Sequence, residues 1–223
     1  PQKSYCGAHS IEYIKKYGLD LHNISTKSAP AKHAHTLTGH INTFLASMQS
    51  YYAGALGLSY VNISYAPYLV GMTYGEMLKE AQYLVFSLAQ CSFSRGGQVL
   101  FSDFNIHTGI PETLSCVQAI GPGGEYTGKT YFEYEKEAQM FAKAIMEVIM
   151  NGDMNGRLFE FPKCLDKETF MVCEVDNEII QTDIQGIYDF FKQGKDVYLP
   201  HPELKKTKVT GAEYAGSENG IEI

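Results

Sequence analysis

Five cysteines, at positions 6, 91, 116, 164 and 173, are the side chains of this 223-residue chain best suited to redox or nucleophilic chemistry. Their number is odd and no two form a CxxC pair, so neither a disulfide framework nor a zinc ribbon is indicated, and reduced thiols are the default. A second group is "GPGGEYTGKT", 121–130, in which Gly123, Gly128, Lys129 and Thr130 satisfy the phosphate-loop pattern GxxxxGK[ST]. A third is "RGGQVLFSDFN", where Arg95 and the N–H groups of Gly96 and Gly97 can meet a triphosphate or another anion at a strand entrance, or simply make a tight turn. Ser102, Asp103 and Asn105 in that run either line the substrate side of a strand or face out, and period two does not decide which. His33, His35 and His40 offer metal ligands, yet positions 33 and 35 point about 200° apart on a helix and no HExxH or carboxylate pattern accompanies them, so no metal site is predicted.

The elements that would position these groups follow from spacing. A phosphate loop needs a buried strand, a glycine-rich turn and an immediate helix aimed at the anion. A helix does start near Tyr131, but "LSCVQAIG" is interrupted by Gln118 and Pro122 lacks an N–H, so the residues favour a structural turn. "YCGAHSIEYI" reads as a strand entering a short helix. From His33 to Leu56, residues Leu37, Ile41, Phe44, Leu45, Met48, Tyr51 and Tyr52 recur at helical spacing. A second helix is predicted over Thr73 to Phe93, a β-rich run after Gly96 and Gly97, a third helix over Tyr131 to Met150, and a strand at "RLFEFP". Long helices between buried strands indicate an α/β architecture of barrel type.

A net charge of -7 gives no basic footprint for nucleic acid, and no apolar run of membrane-spanning length or signal-peptide pattern is present, which reads as a cytoplasmic chain. The opening at Pro1 without a leader reads as a fragment. Residues 1–163 hold 12 Lys and Arg against 13 Asp and Glu, whereas residues 164–223 hold 6 against 12, which predicts a boundary near Pro162 to Cys164.

"YCGAHSIEYIKKYGL", "SAPAKHAHTLTGHI", "NISYAPYLVGM", "FSLAQCSFSRGGQVLFSDFNIHTGIPETL", "AIGPGGEYTGKTYFEYEKEAQMFAKAIMEV" and "FEFPK" resemble, in this order, the catalytic subunit of anaerobic (class III) ribonucleoside-triphosphate reductases. The resemblance covers 1–163 and implies part of a ten-stranded α/β barrel of the glycyl radical type. It implies conversion of ribonucleoside triphosphates to deoxyribonucleoside triphosphates by thiyl chemistry. The glycyl radical, installed by an S-adenosylmethionine, iron-sulfur activase, the thiyl cysteine and a structural zinc would all lie outside this chain. It also implies a homodimer, dNTP or ATP effectors, and formate or a thioredoxin-like protein as reductant; the helix from His33 falls near the family's dimer and effector region, with no effector-binding residue assigned. Cys6 stands where the family's first-strand redox thiol would be, or is a small buried hydrophobe; Cys91 sits in an apolar row and reads as core. Arg95, Ser102 and Asn105 become the substrate-binding candidates.

From Cys164 the text changes character. "CLDKETFMVCEVDNEIIQTDIQGIYDFFKQGKDVYLP" resembles the N-terminal splicing block of an intein, in which the Cys164 thiol would attack the Lys163 carbonyl and form a thioester. Residues 164–223 are then a β-rich splicing segment; the alternative is a divergent reductase insertion. A phosphate-loop nucleoside triphosphatase is the third reading.

Overall fold

The computed structural model describes residues 4–92, 97–162, 170–201, 205–208, 213–214 and 221–222. The chain divides into two compact units, Pro1–Cys164 and Leu165–Ile223.

The first unit is mixed α/β. Strands β1 (Gly7–Ser10), β2 (Leu56–Ser59) and β3 (Ser102–Phe104) form a parallel sheet in the order β1-β2-β3. Parallel neighbours require crossovers, and helices supply them: α1 (Glu12–Tyr17) and α2 (Ala34–Met48) precede β2, and α3 (Val61–Tyr65) and α4 (Tyr74–Ala89) precede β3. On α2, Ala34, Leu37, Thr38, Ile41 and Leu45 are buried at the i, i+3, i+4 spacing of one helical face. On α4 the buried set is Met77, Ala81, Leu84, Val85 and Leu88, and Thr73 and Glu76 close a reciprocal capping box at its start. The last long helix of this unit, α6 (Glu135–Asn151), packs along α4 and buries Phe141, Ala144, Ile145 and Val148. These residues join Leu56, Leu58 and Phe104 of the sheet, and Leu100 just before β3, in one core.

The helix that apolar spacing extends to Leu56 ends at Met48. Gln49 turns the chain: its side-chain amide donates to the Gly54 carbonyl at 3.1 Å, and its amide oxygen accepts from Phe101 N–H at 3.2 Å. Leu56, the end of that run, begins β2, where alternation buries Leu56 and Leu58 while Gly57 and Ser59 stay half-buried. The second helix likewise stops at Ala89, short of Phe93. "RLFEFP" forms no strand; Asp153 accepts from the N–H groups of Asn155 (2.8 Å) and Arg157 (2.9 Å) and holds its entry as a turn.

The phosphate-loop reading of Gly123–Thr130 is corrected by the backbone. After α5 (Glu112–Ser115), strand β4 (Gln118–Ile120) pairs antiparallel with β5 (Tyr126–Thr130), so Lys129 lies within a hairpin strand rather than on a loop entering a helix. Pro122–Gly124 forms one 3-10 turn, and Gly123 N–H donates to Ala31 O at 2.7 Å instead of facing an anion.

The second unit is an antiparallel sheet ordered β7-β6-β8-β9, from β6 (Phe170–Val175), β7 (Glu178–Asp183), β8 (Val197–His201) and β9 (Lys205–Lys208). Asp176 and Asn177, both at positive φ, make the two-residue β6–β7 turn, a conformation these residue types tolerate. Helix α7 (Ile184–Lys192) contributes Ile187 to a small core with Cys173, Val175 and Val197. Short pairs β10 (Glu213–Tyr214) and β11 (Ile221–Glu222) complete the described elements.

Candidate functional site

The parallel sheet has two unlike faces. His9, Leu56, Leu58, Ser102 and Phe104 point toward the helices, and His9 lies edge-on to Phe44 and Tyr52 at 5.2 and 5.4 Å. The register places Ala8, Gly57 and Asp103 in one row of the opposite face and Ser10 beside Ser59 in the next. Continuing the alternation past the paired residues adds Cys6, Ala55 and Phe101 at one end and Asn105 at the other. Ala8 and Ser10 are exposed and Gly57, Ser59, Asp103 and Asn105 half-buried. A side chain added at Gly57 would meet only ordinary contact, 3.7 Å from Ala8 Cα, so small residues leave the middle of this face open.

Cys6 precedes β1 and is exposed, and its sulfur accepts from Ala55 N–H at 3.3 Å. Gly54 permits this approach, because a Cβ there would stand 2.8 Å from the Cys6 sulfur and 2.8 Å from Tyr5 O. Of the substrate-binding candidates, Asn105 lies at the carboxyl edge of the same face, whereas Ser102 is fully buried on the helix side with its hydroxyl unpartnered. Cys6 and Asn105 therefore share a surface that Ser102 does not. Arg95 and Cys164 lie outside the described residues. Cys91 is buried in the helix core, Cys116 is exposed after α5, and burial pushes the Cys173 thiol up. His33 occupies the N-cap position of α2 without a side-chain cap bond, His35 stacks on Tyr83 at 3.8 Å with Glu80 at 3.7 Å, and His40 is buried. Among the described residues no group of three or more His, Cys, Asp or Glu side chains could hold a metal ion, and no helix is long and apolar enough to cross a membrane.

Spacing gave no hint of a second cluster, at the carboxyl edge. Tyr60 joins β2 to α3 in the left-handed conformation, φ 52 and ψ 43, which costs a bulky residue roughly 1–2 kcal/mol. Tyr60 N–H donates to Asn105 Oδ1 at 3.3 Å, which identifies that amide atom as the oxygen. His107 Nε2, 2.6 Å from the same oxygen, is therefore the donor. Burial lowers the His107 pKa and so favours the neutral ring, whose proton the bond to Asn105 places on Nε2. Asn62, fully buried, clasps the His107 backbone by donating to its carbonyl at 2.8 Å and accepting from its N–H at 3.0 Å.

A buried charged network ties α1 to the segment after β5. Lys15 Nζ donates to Glu12 Oε1 at 2.8 Å and to the Tyr131 hydroxyl at 2.6 Å, and that hydroxyl donates to Glu12 Oε2. Desolvation pulls the Lys15 pKa down to about 8 despite the Glu12 carboxylate.

The model of the family described as anaerobic ribonucleoside-triphosphate reductase matches residues 1–193, a range that runs past the boundary between the two units. No curated protein matches the chain. Among solved structures, the Thermotoga maritima anaerobic ribonucleotide reductase in complex with dATP and CTP is similar at 22% identity and a TM-score of 0.56, over 72% of this chain and 27% of that one. The same Thermotoga maritima enzyme with glycerol in the active site aligns at 20% identity and a TM-score of 0.58, over 86% of this chain and 30% of that one. A further anaerobic ribonucleotide reductase aligns at 19% identity and a TM-score of 0.57, over 86% and 29%. The chain thus spans less than a third of the length of these proteins, and at such identities the likeness is one of fold. The family match over most of its length carries the assignment: this chain belongs to the anaerobic ribonucleoside-triphosphate reductases.

Proposed function

We propose that these residues are part of a catalytic subunit that converts ribonucleoside triphosphates to deoxyribonucleoside triphosphates, with the open face of the β1–β2–β3 sheet turned toward the substrate. The observation that carries this reading is Cys6, an exposed thiol at the start of β1 on a face kept open by Ala8 and Gly57, in a chain of this family. The family's glycyl radical, stored outside these residues, supplies the thiyl that takes the ribose 3′-hydrogen so that the 2′-hydroxyl leaves as water. Cys6 is the thiol that assists the reduction, with formate or a thioredoxin-like protein as the electron source. Asn105 stands at the carboxyl edge of the same surface, on the substrate side. A thiol serves here because it gives up a hydrogen atom readily and can be restored by exchange with an external reductant.

In this reading the three parallel strands belong to a ten-stranded barrel in a cytoplasmic homodimer with a structural zinc elsewhere. ATP and deoxynucleotides act as effectors, which the dATP in the specificity site of a Thermotoga maritima relative supports, and the family resemblance puts their region in the neighbourhood of α2. The complete reading frame, activated without oxygen by a radical-generating activase and S-adenosylmethionine, is expected to form deoxynucleotides from ribonucleoside triphosphates and to lose the activity in air. Activated protein that forms none overturns the reading.

A separate proposal concerns residues 164–223, as the N-terminal part of an intein with Cys164 as splicing nucleophile. It is supported by the compact second unit beginning at Leu165 and by its small antiparallel sheet. The family match reaching residue 193 favours the competing reading, a reductase insertion. Cys164→Ala in the complete reading frame should abolish processing at the Lys163 junction; normal processing of that variant sinks the splicing role.

A further inference from the structure

We propose that Tyr60 contacts the nucleoside part of the ribonucleotide substrate and that Asn105 and His107 are positioning residues that hold it in the contact conformation; this rests on the reductase reading above.

Tyr60 occupies an elbow, with β2 ending at Ser59 and α3 starting at Val61, at the carboxyl end of the middle strand of a parallel sheet. Ligands of open α/β sheets bind at that end. A left-handed tyrosine is uncommon, and such strain persists where the surroundings over-determine it, a condition concentrated at ligand contacts. The surroundings do so here. Asn105 grips the elbow on both sides: its N–H donates to Leu58 O at 3.0 Å, its carbonyl accepts from Val61 N–H at 3.0 Å, and its Oδ1 accepts from Tyr60 N–H. His107 donates to that same Oδ1 and lies 4.9 Å from the Tyr60 ring at a 30° tilt, so one imidazole fixes both the clamp and the ring.

The chemistry of the edge indicates which part of a nucleotide it suits. Ser10 and Ser59 present hydroxyls, that of Ser10 also accepting from Glu12 N–H, beside the His107 imidazole and the Tyr60 phenol, and Lys15 spends its ammonium on Glu12 and Tyr131. Neutral donors and acceptors with an aromatic ring fit ribose hydroxyls and a base rather than a triphosphate. Cys6 lies four residues before Ser10 on the same face, roughly 13 Å along the strand, a span that a nucleoside and the side chains reaching for it can fill.

The test measures ribonucleoside triphosphate binding to the radical-free complete chain, and KM and kcat after activation. Tyr60→Gly relieves the left-handed backbone but gives up the ring's packing against Ile63, Ala119 and Tyr131, so binding is compared on protein shown to be folded, where the variant should weaken binding and raise KM roughly 10- to 100-fold. His107→Ala should raise KM about 10-fold with a smaller effect on kcat, and His107→Gln, whose amide can donate to Asn105, should recover most of that loss. Variants that shift only the melting temperature and leave binding and KM unchanged, in a wild type that turns over, overturn this inference alone. A wild-type chain that forms no deoxynucleotide overturns the reductase reading with it.

Discussion

The helix-side face of the β1–β2–β3 sheet and its opposite face are built from the same three strands and obey different chemistry. Leu56, Leu58 and Phe104 on the helix side are buried in a continuous core, whereas the other side alternates exposed alanine and serine with a bare glycine, ending in Cys6 at one edge and Asn105 at the other. A face built only for stability would carry branched apolar residues on both sides, as buried parallel strands usually do. The difference is what the proposed function requires of a face that must leave room for a substrate.

Substitutions on the two faces should therefore separate stability from activity. Leu58→Ala on the packed face should lower unfolding free energy by about 2–5 kcal/mol, read by denaturant unfolding of the complete chain. A loss under about 1 kcal/mol would mean that the helices do not seal this face. Gly57→Leu on the open face should leave stability within about 1 kcal/mol, since an added Cβ meets only contacts of 3.7 Å or more, while filling the open middle and cutting turnover on the order of 100-fold. Equal losses of stability from both substitutions would erase the distinction. Gly54→Ala, which forces a methyl against the Cys6 sulfur and Tyr5 O, should cost about 1–3 kcal/mol and displace the thiol, seen as altered alkylation of Cys6.

A smaller effect comes from protonation. Burial lowers the pKa values of His9, His40 and His107, so below the ordinary histidine value of about 6.5 the unfolded chain binds more protons than the folded one. Stability is then full above that value and declines as the pH falls from 7 toward 5; His9→Phe should flatten the packed face's share of that slope. Least of all, Lys129→Ala on β5 should change stability by no more than about 0.5 kcal/mol and leave nucleotide binding intact.

The long amphipathic helices were legible because their periods are repeated over several turns and, in α4, sealed by the Thr73–Glu76 capping box. Strand β2 was not: four residues offer two apolar positions, Leu56 fits a helical period as well as an alternating one, and the bond that fixes the turn runs from Gln49 to Phe101, 52 residues on. The same distance problem hid the Tyr60 elbow, whose clamp, Asn105, comes 45 residues later. For Ser102 and Asn105 the alternation was visible but its phase was not; only pairing with Leu56 and Leu58 assigns Ser102 to the core. The phosphate-loop letters at 121–130 misled for the converse reason, because glycine-rich hairpins and anion loops need the same left-handed positions, here Gly123, Gly124 and Gly128. The role proposed for Cys6 comes from the family resemblance alone; the structure adds that the thiol is exposed and accepts from Ala55 N–H.

The central claim is that the open face is the reacting face, and turnover of Cys6→Ser tests it most directly, with Cys116→Ser, the other exposed thiol among the described residues, as control. In the activated complete chain, Cys6→Ser should leave the melting temperature unchanged and lower deoxynucleotide formation by at least about 100-fold, while Cys116→Ser should match the wild type. Wild-type turnover by a folded Cys6→Ser enzyme would contradict the account.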